Sequence, residues 1–456
     1  MSVACYRSVT SHGGCERGRS TQRTGSSKPV GSAVPKQNTV NSVPELLRDA
    51  VTCPFCSLLC DDLETVTRGT QVSVDAKACP KAHKAFAAAT PAGSPLVDGQ
   101  PVTMEQALSA AKRILKYARQ PLFSGLATDV DGVRASLALA ERCGAIVDHL
   151  HGASMAHGIR VLQSRGQTMT TLAEVRNRAD VVVLLGADIN EDFHRFAEIC
   201  LTPAESLSPE RLAARQIFHL GPRAQRPRQA GLHCQPIVCT ADELPNFLGG
   251  LRALLRGRQH GLAGRSAKAL AALAHTLKSA AYAVFVWAPG QLPPAHAEHL
   301  IGSAGELIAE LNQHTRAAGL ALGGNEGGQT ALATAAWTTG YPLQFSYAGE
   351  TLDYDPLRYQ TARLLAEDAV DALLWISTFS AQVPPANTLP CIVIGNAASA
   401  LTRPGSVYLP VGTPGIDHTG QLMRTDSVVS LPLQKLRGTG ALSTAQMLAA
   451  LAATLD

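Results

Sequence analysis

Beyond about residue 44 the chain alternates short apolar runs with stretches of helical spacing. Met104 to Ala118 repeats its apolar residues at helical intervals behind Thr103, a hydroxyl residue suited to cap the first turn. Pro121 to Gly125 then reads as a buried strand, Val133 to Cys143 as a helix, and Ala145 to Asp148 as a strand. Leu172 to Ala179 predicts a helix that feeds the apolar run Asp180 to Gly186, a strand of the kind buried on both faces of a parallel sheet. Further strands are expected at Val72 to Val74, Gln216 to Leu220, Ala283 to Trp287, Ala372 to Ile376, Cys391 to Ile394 and Val407 to Leu409. Gln259 to Ser279 and Ser443 to Leu455 are expected helices.

This alternation predicts an α/β protein of right-handed βαβ units in open, mostly parallel sheets. Ligands in such sheets sit beyond the carboxyl ends of the strands, which places Gly125, Gly186 and Gly221 near a possible cofactor crevice. The expected division is an extension over residues 1–44, a cysteine-bearing unit over 45–100, α/β domains over 101–250 and 251–400, and a C-terminal segment over 401–456 that returns to the core. Met1 to Pro44 has no hydrophobic periodicity and a single acid, Glu16. Its Arg-rich, acid-poor composition is shared with organelle transit peptides, but a disordered or non-native extension is the simpler expectation.

Composition narrows the class. The net charge of +4 is small for 456 residues, so neither nucleic acid nor a membrane surface is an expected partner. No apolar stretch is long enough to predict a transmembrane helix. Eleven cysteines in so long a chain do not form a secreted disulfide scaffold; they suit a reducing cytoplasm with one metal site. Cys143, Cys200, Cys234, Cys239 and Cys391 are expected to be packing residues.

The exception is Cys53-Pro54-Phe55-Cys56-Ser57-Leu58-Leu59-Cys60, followed by Cys79, with spacing C-x2-C-x3-C-x18-C. Four thiolates can complete a 4Fe-4S cube, one per iron. Zinc is the competing reading, although a zinc ribbon supplies two C-x-x-C knuckles and Cys79 stands alone. A relic that binds nothing is the third.

These residues resemble the opening of bis-pterin molybdenum and tungsten oxidoreductases. With Asp61-Asp62-Leu63-Glu64 after Cys60, and Lys84-Ala85-Phe86 after Ala78-Cys79, they look most like the B subunits of formylmethanofuran dehydrogenases. Thr171 to Val183, Thr339-Gly340-Tyr341-Pro342 and Val411 to Ile416 extend the resemblance, which covers roughly Val51 to Leu433. It implies sheet domains of the formate dehydrogenase and DMSO reductase type behind an iron–sulfur-type small domain. It also implies that the superfamily's C-terminal β-barrel is carried by another subunit.

In that family a cysteine or selenocysteine ligates the metal in a segment like S-V-C-H-G-P. The matching segment here, Asp148 to Gly158, places Ala156 at the ligand and leaves His157 vestigial. A methyl group cannot donate to a metal, and the adjacent Met155 thioether is out of register by one position. The family's pterin-contacting stretch resembles S-N-P-x-H-x-H-P-R. Here Gly186, Asp188, His194 and Arg195 mark a degenerate version, and Asp188, Glu191 and Asp192 add charge that opposes pterin phosphates. His149, His151 and His157 are read as a metal group, a vestigial pocket or plain loop histidines. Gly323-Gly324-Asn325-Glu326-Gly327-Gly328 lacks the Lys-Ser/Thr of a P-loop and is expected to line the former crevice.

The resemblance implies the B subunit of a formyltransferase/hydrolase complex in one-carbon metabolism, from formaldehyde to formate. The expected role is structural, with a 4Fe-4S cluster and without a molybdenum or tungsten bis-pterin. The implied partners are an amidohydrolase-like A subunit, a formyltransferase and a C subunit, with a methanofuran-type cofactor handled by them. The alternatives are an active metal–pterin dehydrogenase subunit and an electron-transfer module that keeps the cluster alone.

Overall fold

The computed structural model of the chain describes residues 45–455 apart from 230, 260, 262 and 263; the extension expected over residues 1–44 lies outside them. Strands β1 (Glu45–Val51), β2 (Leu63–Arg68) and β3 (Gln71–Val74) form an antiparallel sheet in that order. β2 alternates, with Leu63, Thr65 and Thr67 facing inward, as a half-buried strand requires. Helix α1 (Pro80–Ala88) starts behind Cys79, with proline in its first turn, where a missing N–H costs nothing. Phe86 meets the edge of Phe55 at 5.0 Å, which closes this small core over the cysteine loop.

The chain then lays down β4 (Leu96–Val97), β5 (Gln100–Pro101), α2 (Met104–Tyr117), β6 (Pro121–Ala127), α3 (Val130–Arg142), β7 (Ile146–Val147), α4 (Gly152–Arg165) and α5 (Leu172–Arg178). Thr103 caps α2 in a reciprocal box with Gln106, as its sequence predicts. Strands β8 (Val181–Leu185), β9 (Gln216–Gly221), β10 (Cys234–Val238), β11 (Ala283–Trp287) and β12 (Ala317–Ala321) follow. They form a wholly parallel sheet in the order β10-β9-β8-β11-β12. Helices Leu244–Leu255, Gly264–Ser279 and Ala297–Leu311 cover one face; α5 and the segment Ile189–Leu201 cover the other.

Strands β13 (Phe345–Ser346), β14 (Asp353–Tyr354), β15 (Ala372–Ser377), β16 (Cys391–Gly395) and β17 (Ser406–Pro410) complete a larger sheet in the order β14-β13-β7-β6-β15-β16-β17-β4-β5. Its centre, β7 to β17, is parallel, and antiparallel β13 and β4 flank it. A hairpin of β18 (Gly420–Met423) and β19 (Ser430–Leu433) and a helix, Thr444–Leu455, follow.

Domain boundaries at 250/251 and 400/401 do not separate these sheets. β6 pairs with β15 and β8 with β11, each across the first boundary, and β16 pairs with β17 across the second. The chain begins the larger sheet, leaves it to build the five-stranded one, and returns. Hydrophobic period reports that a strand exists; its partner is set by the crossover, which carries no periodic signal. In the C-terminal segment Arg437 and Asp417, each with 1% of its side chain exposed, pair at 2.7 Å. Arg437 Nη1 also donates to the Thr70 and Ala89 carbonyls at 2.7 and 2.6 Å, which pins this segment to the first sheet and α1.

Cys200, Cys234, Cys239 and Cys391 are buried and unbridged, as packing cysteines should be; Cys143 is half-buried. Among the described residues no helix is long and apolar enough to cross a membrane.

Candidate functional site

The cysteine loop folds back on itself. The Cys53 amide donates to the Cys60 carbonyl at 2.8 Å, and the Leu59 amide to the Cys56 carbonyl at 3.0 Å. Leu59 takes a left-handed φ of 49°, a strained turn that lets three cysteines share one short loop. Backbone amides approach two sulfurs at 3.5 Å, Leu58 to Cys56 and Ala82 to Cys79. The four thiols are near enough to feel one another's charge. Burial pushes the thiols of Cys56 and Cys60 up to about 11 and about 12 and raises Cys53 as well, so metal-free thiols here keep their protons. Lys81 acts on Cys56 and Arg195 on Cys60 in the opposite direction.

Among the described residues no group of three or more His, Cys, Asp or Glu side chains that could hold a metal ion is gathered. A tetrahedral zinc needs four sulfurs at about 2.3 Å from one point. A cube spreads the same four over four irons. Cys53, Cys56, Cys60 and Cys79 act on one another electrostatically, the Leu58 and Ala82 amides approach two of the sulfurs, and Lys81 and Arg195 supply positive charge nearby, a chemistry suited to thiolate ligands.

The Gly323–Gly328 loop closes over this loop. The Ser57 amide donates to Asn325 Oδ1 at 3.0 Å and the Ser57 hydroxyl to the Gly323 carbonyl at 2.6 Å. Glu326, with a left-handed φ of 54°, turns its carbonyl to His149 Nε2 at 3.1 Å. His149 Nδ1 accepts the His151 amide at 3.0 Å, so the other nitrogen, Nε2, is the donor. Both ring nitrogens are used by backbone, and burial, with His151 adding to it, drives the His149 pKa down to about 3. His149 is a neutral structural histidine.

The three histidines do not converge on one ion. His151 starts α4 and reaches toward Asp192 and Lys81, while His157 lies inside α4 beside Glu298 and Arg160. The segment read as loop beyond His151 is therefore helix.

Ala156 is buried on α4, and Met155 is the residue that reaches the cavity. Its sulfur lies 3.2 Å from where a Cβ on Gly328 would stand. The cavity is about 220 Å³, and its polar lining includes Lys81, His151, Asp192, Gln291, Asn325 and Glu326.

In the segment compared with the family's pterin-contacting stretch, Asp188 and Arg195 are engaged within the protein. Gly186 has a φ of 56°, and a side chain there would press on Leu244 and Leu292, so this glycine serves packing and does not line the cavity. Asp188 caps the single turn Ile189–Asp192, accepting from the Asn190 amide at 2.9 Å. Its own amide donates to Gln291 Oε1 at 2.7 Å, and Gln291 Nε2 reaches the Asp192 carboxylate at 3.2 Å. His194 stays near Lys81, Asp192 and Asp188, with burial lowering its pKa.

Arg195, named with the pterin-contacting stretch, is engaged by two carboxylates. Its Nη1 and Nη2 donate to the two oxygens of Asp62 at 2.6 and 2.8 Å, and Nε and Nη2 to those of Glu198 at 3.1 and 2.6 Å. Sequence reasoning missed Gln291 as a site residue because nothing local marks it, and it placed Glu326 only within a glycine-rich loop; it quoted Asp62 without giving it a role.

No family model matches the chain. The Fhc B subunit of the formyltransferase/hydrolase complex of Methylorubrum extorquens is 32% identical over 329 residues, which span 72% of this chain and 87% of that one. The chain belongs to the family of formylmethanofuran dehydrogenase B subunits. The B subunit of the tungsten-containing formylmethanofuran dehydrogenase 2 of Methanocaldococcus jannaschii is 27% identical over 403 residues, 83% of this chain and 91% of that one. Among solved structures, a chain of the M. extorquens formyltransferase/hydrolase complex with methylofuran aligns with a TM-score of 0.68 at 27% identity, covering 79% of this chain and 98% of that one. Acetylene hydratase of Pelobacter acetylenicus aligns with a TM-score of 0.56 at 9% identity over 90% of this chain and 70% of its own, which shows the shared fold. As a member of this family, the chain carries four cysteines in its first unit and a small cavity lined by Lys81, Met155, Gln291 and Glu326.

Proposed function

We propose that this chain is the B subunit of a formyltransferase/hydrolase complex acting on formyl groups between formaldehyde and formate, and that its own role is structural. The observation that carries the reading is the crevice. Its cavity of about 220 Å³ lies below the roughly 300 Å³ at which drug-sized ligands begin to fit. A metal held by a pair of phosphate-bearing pterins is larger still.

Four residues argue the same way. Met155 stands at the cavity wall while Ala156 is buried beside it, so no thiolate is offered. Arg195 has both its forks on carboxylates. Gln291 bridges Asp188 and Asp192 across the space that the pterin stretch would open. The residues do not fit a bis-pterin, and no redox step is derived through one.

The cysteine quartet is a separate matter. Cys53, Cys56, Cys60 and Cys79 would hold a 4Fe-4S cluster, which would supply one-electron chemistry when bound. The chemistry of formyl transfer and hydrolysis belongs to the partners, an amidohydrolase-like A subunit and a formyltransferase, with a C subunit in the same complex.

Co-expression of the tagged chain with those subunits tests the assignment. A stoichiometric complex that releases formate from a formylated methanofuran-type cofactor is expected. A chain that elutes alone and binds none of them would contradict it.

A further inference from the structure

Arg195 presents an arrangement that neither packing nor cofactor binding requires. Its side chain is 7% exposed, yet both partners are half in solvent. Two bidentate forks hold it, and such planar pairs are the strongest and most directional that arginine makes. The two carboxylates come from different parts of the fold. Glu198 lies one turn further along the same segment, whereas Asp62 follows Cys60 by two residues. The guanidinium therefore links the cysteine loop to the connection that leaves β8. Among the charges acting on Cys60, Arg195 is the cation, opposed by Asp62 and the thiols of Cys56 and Cys79. Lys81 is the cation on Cys56, at the other side of the quartet.

We infer that Arg195 is a positioning residue for the ligand Cys60: its clamp on Asp62 holds the cysteine loop in the geometry a cluster needs, and its fixed positive charge stands beside that cluster. This rests on the 4Fe-4S reading above. A cube with four thiolates is an anion, and reduction adds one more negative charge. Removing the guanidinium leaves Asp62 beside Cys60 without its counter-charge, which disfavours both retention and reduction. Lysine keeps the charge but cannot form two forks, so it separates the electrostatic part from the geometric part.

The test uses the full complex, purified anaerobically, as wild type, Arg195→Gln, Arg195→Lys and Glu198→Gln. Three readouts are taken: iron and sulfide per chain, the rate of iron loss to a chelator, and the midpoint potential followed by electron paramagnetic resonance. Arg195→Gln should shift the potential downward and lose iron at least tenfold faster. Arg195→Lys should keep the wild-type potential while losing iron faster, and Glu198→Gln should shift the potential upward or leave it in place. If Arg195→Gln yields no folded complex, Arg195→Lys carries the test, and wild-type iron release in it would overturn the clamp. An iron-bearing Arg195→Gln complex with wild-type potential and release rate would likewise overturn the inference while leaving the cluster reading intact. Iron-free wild-type protein would instead overturn the cluster reading, and this role with it.

Discussion

Asp148 and His149 are adjacent at the end of β7 and both are buried, yet burial moves their protons in opposite directions. Desolvation raises Asp148 from 3.8 to about 6 even though the Thr361 amide and hydroxyl donate to Oδ2 at 2.8 and 2.7 Å. Desolvation lowers His149 from 6.5 to about 3. For Asp148 the folded pKa is above the unfolded one, so its contribution is fully present below pH 3.8 and is lost as pH rises through about 6. For His149 the folded pKa is depressed, so its contribution is present above pH 6.5 and is lost as pH falls toward 3. At about 1.4 kcal/mol per pH unit, these amount to roughly 3 and 5 kcal/mol in full. Between pH 6 and 4 the two slopes cancel in the wild type.

Each single variant exposes the other residue. As pH falls from about 6 to about 4, Asp148→Asn should lose roughly 2.7 kcal/mol relative to wild type, because His149 is left unopposed. His149→Gln should gain the same amount relative to wild type over that interval. Urea unfolding of the full chain, followed by far-ultraviolet circular dichroism at several pH values, measures the difference in slope and is indifferent to the constant cost of each substitution. Parallel pH profiles for all three proteins would refute the reasoning.

Cys60→Ser should bleach the visible absorption of anaerobically purified protein and take iron below the four per chain expected for a cube; stoichiometric zinc in the wild type would contradict this. Arg437→Ala leaves Asp417 as an uncompensated buried charge and should cost about 3–5 kcal/mol in urea unfolding; a loss under about 1 kcal/mol would mean that water reaches the pair. Ala156→Cys alone should bring in no tungsten or molybdenum by elemental analysis, because Ala156 is buried on α4 and Met155 holds the cavity wall.

Much of the fold was legible locally. Thr103, Asp129 and Thr171 each cap the helix that follows them, and the apolar runs at β8, β11 and β16 stand where the sequence places them. What periodicity could not supply was pairing, so the sheet that β6 shares with β15 was divided between two domains. The cysteine spacing was legible because the loop's chemistry is local. The fate of Arg195 was not, because Asp62 lies 133 residues away and a guanidinium suits a phosphate as well as a carboxylate. Met155 was set aside in favour of Ala156 by counting positions along a motif, whereas the helical turn starting at Gly152 decides which side chain reaches the cavity.

The most direct test of the structural role is elemental analysis of the native complex, isolated anaerobically from cells supplied with both tungstate and molybdate. A formate-releasing complex that contains iron and neither tungsten nor molybdenum is the expected result. Tungsten or molybdenum at one per copy of this chain, with viologen reduction by formate that disappears when both oxyanions are withheld, would contradict it and return this chain to the redox enzymes.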